Sequence, residues 1–249
     1  MQLSARTRRL IGRGDIPTIA CFNRSTAGLG SSFDALIRGL QSYVARHVAP
    51  IWGTHVRLVR SHTFVAGQWA LVFLDDADAP GSLAYHDLTP DGLPQGKVFV
   101  RTAQQEGQLV SVVASHELVE MLVDPGLNML SAGPEPGSAY AYEVADPVQS
   151  LSFSVRGLLM SDFVYPAYFQ AFRPAGSVPF DHLRAVNAPF QLLPGGYQTV
   201  ITNEGFTRLF GSADADGRFA RKSMAGRRSE RRALVALQRS DVPTVDLAA

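Results

Sequence analysis

The residues most able to do chemistry lie in one segment that runs from Val112 to Asp124. His116 and Glu120 are four positions apart, so on an α-helix their side chains project from one face about one turn apart. An imidazole and a carboxylate placed in this way can share a divalent ion. Glu117, which lies between them, can take a proton from a water molecule on that ion. The spacing therefore predicts a metal site with a general base beside it.

A helix with several charged residues is often only a solvated surface. Here the remaining positions are apolar on nearly every side, at Val112, Val113, Leu118, Val119, Met121 and Leu122. Such a pattern is typical of a buried helix. Ionisable groups in a buried helix need partners, and a metal ion would supply one. The alternative is a structural cluster that is held together by hydrogen bonds alone.

A catalytic zinc site takes three protein ligands and one water, so one ligand must come from outside the helix. Glu143 is the first candidate. Asp146 is predicted either to accept the second ring hydrogen of His116 or to bind the ion itself. His86, at the end of a predicted edge strand, is expected to be an exposed histidine without a role in the site, to contact substrate, or to serve as an additional ligand. Asp162, which has apolar neighbours, is expected to accept hydrogen bonds from the backbone or to hydrogen-bond to a residue that binds the metal ion.

The segment His116-Glu117-Leu118-Val119-Glu120 resembles the active-site helix of the zincin metallopeptidases, in the HExxE variant whose second histidine is replaced by glutamate. From about residue 17 to residue 205 the chain also resembles a group of bacterial zincin-like proteins of unestablished activity. The segments that carry this resemblance are Tyr85-His86-Asp87, Tyr142-Glu143-Val144-Ala145-Asp146, Ser161-Asp162-Phe163 and Pro194-Gly195-Gly196-Tyr197.

The resemblance implies an α+β, zincin-like fold with a cleft between two lobes. The N-terminal lobe, residues 16–130, is expected to contain a mixed sheet, long helices and the active-site helix. The C-terminal lobe, residues 131–212, is expected to be smaller, loop-rich and partly β. Residues 1–15 are interpreted as a mobile basic arm and residues 213–249 as a basic tail.

The function that the resemblance implies is a zinc-dependent peptidase or related hydrolase that acts on a peptide or protein. The implied metal ligands are His116, Glu120 and Glu143, and the glutamate beside the histidine is the implied base. His86 or Tyr165, across the cleft, is expected to stabilise the oxyanion. Two carboxylates cancel the charge of a zinc ion and so acidify its water less. Oxygen-rich ligation also suits manganese or calcium.

A catalytically inactive zincin-like binding or assembly module, for example in a phage or multi-protein particle, is the competing hypothesis. Seven basic residues between Gly217 and Arg232, against the single acid Glu230, predict a tail that can dock an acidic partner. The same run also suits nucleic acid. Only Phe219 is available there for base stacking, so nucleic-acid binding is not the function that we predict.

Composition restricts the class of protein further. The 249 residues are 46% hydrophobic and 18% charged, with a net charge of +1, which is ordinary for a folded soluble chain. The sequence predicts no membrane partner, because it contains no run of 18 apolar residues. The only cysteine, Cys21, excludes an intramolecular disulfide and is expected in the core. A cytoplasmic location is therefore the expectation.

The hydrophobic pattern predicts the elements that must position these residues. A helix is expected from Phe33 to Val48, ending before Pro50 because proline disfavours helical geometry in the preceding residue. A hairpin is expected around Arg156-Gly157. Strands are expected at Ile16–Phe22, His55–Val59, Trp69–Leu74, Ser82–Asp87, Lys97–Arg101, Tyr197–Thr202 and Gly205–Phe210.

Overall fold

The structure, a computed structural model, describes residues 16–78 and 81–212. The predicted arm, 1–15, and the predicted tail, 213–249, lie outside these described residues. The α-helices are α1 (Phe33–Tyr43), α2 (Ala49–Trp52), α3 (Val100–Gln105) and α4 (Val110–Val123). The strands are β1 (Thr18–Asn23), β2 (Arg57–Arg60), β3 (Trp69–Leu74), β4 (Ala84–Leu88), β5 (Pro94–Phe99), β6 (Leu130–Ala132), β7 (Ala139–Ala141), β8 (Ser152–Val155), β9 (Leu158–Ser161), β10 (Tyr197–Thr202) and β11 (Gly205–Phe210).

A five-stranded mixed sheet forms the first part of the chain, in the order β2-β1-β3-β5-β4. Strands β1, β2, β3 and β5 are parallel, and β4 pairs antiparallel with β5 at the end of the sheet. The predicted edge strand is thereby confirmed. Cys21 on β1 is fully buried in the main hydrophobic core, as expected for a small apolar side chain. In β4, His86 lies opposite Gly96 of β5.

Helix α4 packs between the sheet and a two-stranded hairpin. It contacts β4 and β5 on one side and β9 on the other, which explains why its sequence is apolar nearly all round. The hairpin β8–β9 turns at Arg156 and Gly157, whose φ angles are 52° and 79°. Two positive φ angles are the signature of the tight turns that suit hairpins, and the predicted hairpin is confirmed. Ser115 ties the two elements together, because the Ser161 N–H donates to its Oγ at 2.7 Å.

The helical segment that begins at Phe33 does not end before Pro50, and this prediction was wrong. A π turn over Val44–Val48 follows α1 and leads directly into α2, with the Ala49 N–H bonded to the Val44 carbonyl. The wider turn leaves room for the proline ring, which would otherwise clash with the preceding helical turn. It also tolerates the loss of the hydrogen bond that proline cannot donate. The segment ends at Gly53, whose φ of 69° is left-handed.

A second, four-stranded antiparallel sheet has the order β11-β10-β7-β6. Strands β10 and β11 have the bounds predicted from the sequence. Between β7 and β8, a short 3₁₀ turn over Asp146–Val148 lies against the loop before β10. The Leu193 N–H donates to the Pro147 carbonyl at 3.2 Å, and Gly196 approaches the same carbonyl closely.

The described chain is a mixed α+β structure with several sheets and few helices. Its main hydrophobic core contains side chains from Ile19 to Val186, which include residues from both predicted lobes. A core shared in this way does not mark a boundary at residue 130, and the division into two lobes stays a prediction.

Candidate metal centre

Helix α4 presents three predicted site residues to a cleft with an empty volume of about 730 Å³, part of it open to solvent. His116, Glu117 and Glu120 all line this cleft. Every residue of the helix is buried except Val112 and His116. The side chains of Glu117 and Glu120 are only 6% exposed, and that of His116 is 17% exposed. The helix thus holds an imidazole and two carboxylates at the inner wall of an open cleft.

One group of possible metal ligands joins α4 to the turn that begins at Asp146. His116 Nε2 lies 3.4 Å from Glu120 Oε1 and 3.2 Å from Asp146 Oδ1. One ligand atom from each residue lies within 4.8 Å of the others. A tetrahedral zinc ion with ligand bonds of about 2.1 Å holds its ligand atoms about 3.4 Å apart. The two spacings from His116 Nε2 therefore fit a divalent ion, and the third is within 4.8 Å.

The backbone fixes the orientation of Glu120 in this group. The Ala145 N–H donates to Glu120 Oε1 at 3.2 Å. Ala145 immediately precedes Asp146, so the same short stretch of chain both orients one carboxylate and supplies another. A carboxylate that binds a metal ion and also accepts a hydrogen bond from the backbone is held in position.

The structure arranges Glu143 and Asp146 differently from the sequence expectation. Glu143 lines the cleft and is 8% exposed, but it belongs to neither group of possible ligands among the described residues. Asp146 faces His116 Nε2, the same nitrogen that Glu120 faces, and not the other ring nitrogen as expected. Of the two alternatives for Asp146, its position beside Glu120 agrees with binding of the ion itself, and the role of Glu143 as a ligand stays a prediction.

His86 lies against the predicted base. Its side chain is 1% exposed, and its Nδ1 contacts Glu117 Oε1. Its Nε2 lies 3.4 Å from the carbonyl oxygen of Asp124, at the C-terminus of α4. His86, Glu117 and Glu120 form a second group whose ligand atoms lie within 4.8 Å of one another.

Asp162 and Tyr165 lie elsewhere and are not among the residues that line the cleft. Asp162 is fully buried, and its Oδ1 accepts hydrogen bonds from the backbone of Phe163 and Leu183 at 2.8 and 3.3 Å. This agrees with the expectation that it bonds to the backbone. Burial, together with the neighbouring Asp181, raises the pKa of Asp162 to about 8. Tyr165 bonds through its hydroxyl to His182 Nδ1 at 3.0 Å.

The second sheet also contributes to the cleft, and of its contributing residues only Tyr197 belongs to a segment that the sequence analysis singled out. Tyr197 and Thr199 of β10 and Arg208 of β11 line the cleft, and Thr199 pairs directly with Arg208. The Arg208 guanidinium lies over the Tyr197 ring, 5.6 Å from its centroid. The alternation of residues along β10 and β11 could have indicated that these side chains share one face of the sheet. The sequence does not indicate that this face lines the same cleft as α4.

Two buried tyrosines lie close enough to the carboxylates described above for their pKa values to be affected. Burial raises the pKa of Tyr43 well above its ordinary value, and the charges of Asp162 and Glu120 raise it further. Burial likewise raises the pKa of Tyr168, with smaller contributions from Tyr140 and Asp146.

No protein-family model matches the chain, and no curated protein or solved structure shows significant similarity to it. None of the helices in the described part of the chain combines the length and apolar character that a membrane span requires.

Proposed function

We propose that this protein is a metal-dependent hydrolase of the zincin type that cleaves peptide bonds in the cleft lined by α4. The observation that carries the proposal is the convergence of His116 Nε2, Glu120 Oε1 and Asp146 Oδ1, with spacings of 3.4 and 3.2 Å from the nitrogen. Glu117, the adjacent helix residue, faces the same cleft.

The donor set fits zinc or manganese. It offers one imidazole nitrogen and two carboxylate oxygens, a combination that both ions accept. The open side of the cleft leaves room for water and substrate beside His116, the most exposed of the three side chains. When bound, the ion would act as a Lewis acid toward a substrate carbonyl and would acidify a water molecule.

Glu117 is the residue that we assign to proton transfer. Its carboxylate lines the cleft, is almost fully buried and contacts His86 Nδ1. The contact with His86 restrains the carboxylate, so that it can accept a proton from the attacking water and pass it to the leaving amine. This assignment makes His86 a positioning residue for Glu117 and not the oxyanion donor considered from the sequence.

A peptide is the substrate class that the cleft supports best. Strand β4 is the last strand of its sheet, and Ala84, Tyr85 and His86 line the cleft along it. An exposed strand edge can pair with an extended peptide through main-chain hydrogen bonds. Such pairing would bring a peptide into the cleft that His116 also lines.

The proposal is tested with the full chain, stripped of metal by a chelator and reloaded with zinc. Cleavage of a quenched-fluorescence peptide library is compared between the wild type, His116→Ala, Glu117→Gln and the control Glu204→Gln. Glu204 is exposed in the turn before β11. We expect Glu117→Gln to keep its zinc at His116 and to cleave at least about 100-fold more slowly. His116→Ala should lose both zinc and activity, and the control should match the wild type.

Cleavage at the wild-type rate by Glu117→Gln would contradict this mechanism. Absence of zinc binding by the wild type would remove the hydrolase proposal as a whole. The protein would then be better described as a zincin-like binding module.

A further inference from the structure

Residues 180–186 form a segment that is bonded to the stretch of chain after β9. The His182 N–H donates to the Phe163 carbonyl at 3.0 Å, and the Tyr165 N–H donates to the Phe180 carbonyl at 2.7 Å. Phe180 has no solvent exposure and belongs to the main hydrophobic core. Release of this segment would therefore expose an aromatic side chain to water.

One side-chain contact of the segment needs a proton. Asp162, which follows β9, and Asp181 are both fully buried, and their carboxyl groups are hydrogen-bonded to each other. Ionised carboxylates can only accept, so this bond requires that one of the two is protonated. Burial, together with the contact with Asp181, raises the pKa of Asp162 to about 8. Loss of the proton would leave two buried negative charges in contact.

The next residue of the segment, His182, makes a contact that does not tolerate two charged rings. Its Nε2 lies 3.0 Å from Nδ1 of His47 in the π turn, and its Nδ1 bonds to the Tyr165 hydroxyl at 3.0 Å. When both imidazoles are neutral, one of the facing nitrogens donates and the other accepts. When both are charged, each directs an N–H at the other, and the hydrogen bond is lost.

The surroundings of the two histidines favour their neutral forms. Burial lowers the pKa of both, and Arg46 lowers that of His47 further. His47 lowers the pKa of His182 in the same way, while Asp181 acts in the opposite direction. A segment that moves away from the π turn would therefore take up protons in mild acid.

The two pairs have titratable and charged neighbours on α1, in the π turn, after β9 and in the segment itself, which are Tyr43, Arg46, Tyr165 and Arg184. Burial and nearby carboxylates raise the pKa of both tyrosines, so they stay neutral below about pH 10. The arginines stay charged at every pH considered. None of these four neighbours therefore changes its charge between about pH 4 and about pH 8.

We propose that residues 180–186 form a pH-dependent clasp, which is docked while the Asp162–Asp181 pair holds its proton and the His47–His182 pair carries at most one positive charge. Acid releases the segment by charging both histidines, and base releases it by removing the carboxyl proton. The clasp is independent of the proposed function, because none of the four residues lines the cleft.

The sign of each effect follows from the protons that the open segment binds. Above pH 3.8 an exposed Asp162 gives up the proton that the docked pair keeps, so docking weakens as pH rises towards 8. Below pH 6.5 the exposed histidines bind protons that the docked pair rejects, so docking weakens as pH falls. Each proton changes the opening equilibrium by up to about tenfold per pH unit.

Amide hydrogen exchange of the full chain, followed by NMR at residues 180–186, tests the clasp. Each variant is compared with the wild type at the same pH, so the intrinsic pH dependence of exchange cancels. An amide at position 162 donates to Asp181 without titrating. We therefore expect wild-type protection to fall relative to Asp162→Asn by about tenfold or more between about pH 6.5 and about pH 8.

His47→Gln tests the histidine pair, because glutamine can hydrogen-bond to His182 and carries no charge. Wild-type protection should rise relative to this variant by about threefold or more between about pH 5 and about pH 6.5. Asp34→Asn and His55→Gln are the matched controls, because both side chains are exposed. Their protection relative to the wild type should not change with pH.

A protection ratio to Asp162→Asn or to His47→Gln that does not change with pH would overturn the clasp. A measurement on the wild type alone covers variants that fail to fold. Titration of the imidazole resonances should give His47 and His182 pKa values below 6.5. Values at or above 6.5 for both histidines would show that the docked segment accepts their charge, which would also overturn the proposal.

Discussion

His116 Nε2 lies 3.2 Å from Asp146 Oδ1, so a helix in the first part of the chain and a 3₁₀ turn in the second part face the same point. Proline at the second position of that turn restricts its backbone. The preceding residue, Ala145, donates its N–H to Glu120 at 3.2 Å. The turn therefore sets the position of two carboxylates relative to one imidazole.

Exchange of Asp146 for asparagine is expected to weaken zinc binding far more than exchange of Glu143 for glutamine. Asp146 Oδ1 faces His116 Nε2, whereas Glu143 lines the cleft without joining the group. Residues that only support a ligand cost about 10–100-fold in metal affinity when changed, so loss of a direct ligand should cost more than about 100-fold. Competition with a chromophoric chelator measures both affinities. Equal losses would restore Glu143 as a ligand.

The turn at Asp146 is expected to depend on Gly196. A Cβ atom at this position would lie 2.1 Å from the backbone oxygen of Pro147, which no side-chain rotation can relieve. We expect Gly196→Ala to lower the free energy of unfolding by about 1–3 kcal/mol or more and to reduce zinc affinity by displacing Asp146. Gly28→Ala is the control, because a Cβ atom there meets nothing within 4 Å. Urea unfolding and zinc titration test both variants, and similar values for the two would contradict the prediction.

Much of the local structure followed from periodicity and turn chemistry. Strands β3, β10 and β11 have the predicted bounds, since each is a short run with turn residues on both sides. Helix α4 was evident because its apolar pattern is continuous and Pro125-Gly126 stops it. An α-helix puts residues four positions apart on the same face, so the spacing of His116 and Glu120 predicted that their side chains lie together.

The parts that could not be predicted depend on packing between distant segments. Whether Glu143 or Asp146 meets His116 is decided by a 3₁₀ turn that the sequence did not indicate. The contribution of Arg208 to the cleft depends on how the second sheet packs, for which spacing gives no signal. The helical segment continues through Pro50 because a π turn precedes it. The sequence prediction applied the local rule that the residue before a proline avoids helical geometry, and it did not anticipate this turn.

The stability of the fold is expected to fall as pH rises, through Asp162. Its pKa is raised from 3.8 to about 8, first by burial and then by Asp181. Between these values the unfolded chain has lost the proton and the folded protein keeps it, so the folded state binds more protons. The free energy of unfolding should therefore fall with pH, by up to about 1.4 kcal/mol per pH unit from this group.

Asp162→Asn tests this dependence, because an amide resembles the protonated acid and does not titrate. The difference in free energy of unfolding between variant and wild type should grow in favour of the variant from about pH 4 to about pH 8. Urea unfolding at several pH values measures it. Asp34→Asn removes an exposed carboxylate that pairs with Arg60 and is the control. A difference that stays constant over this pH range would contradict the raised pKa.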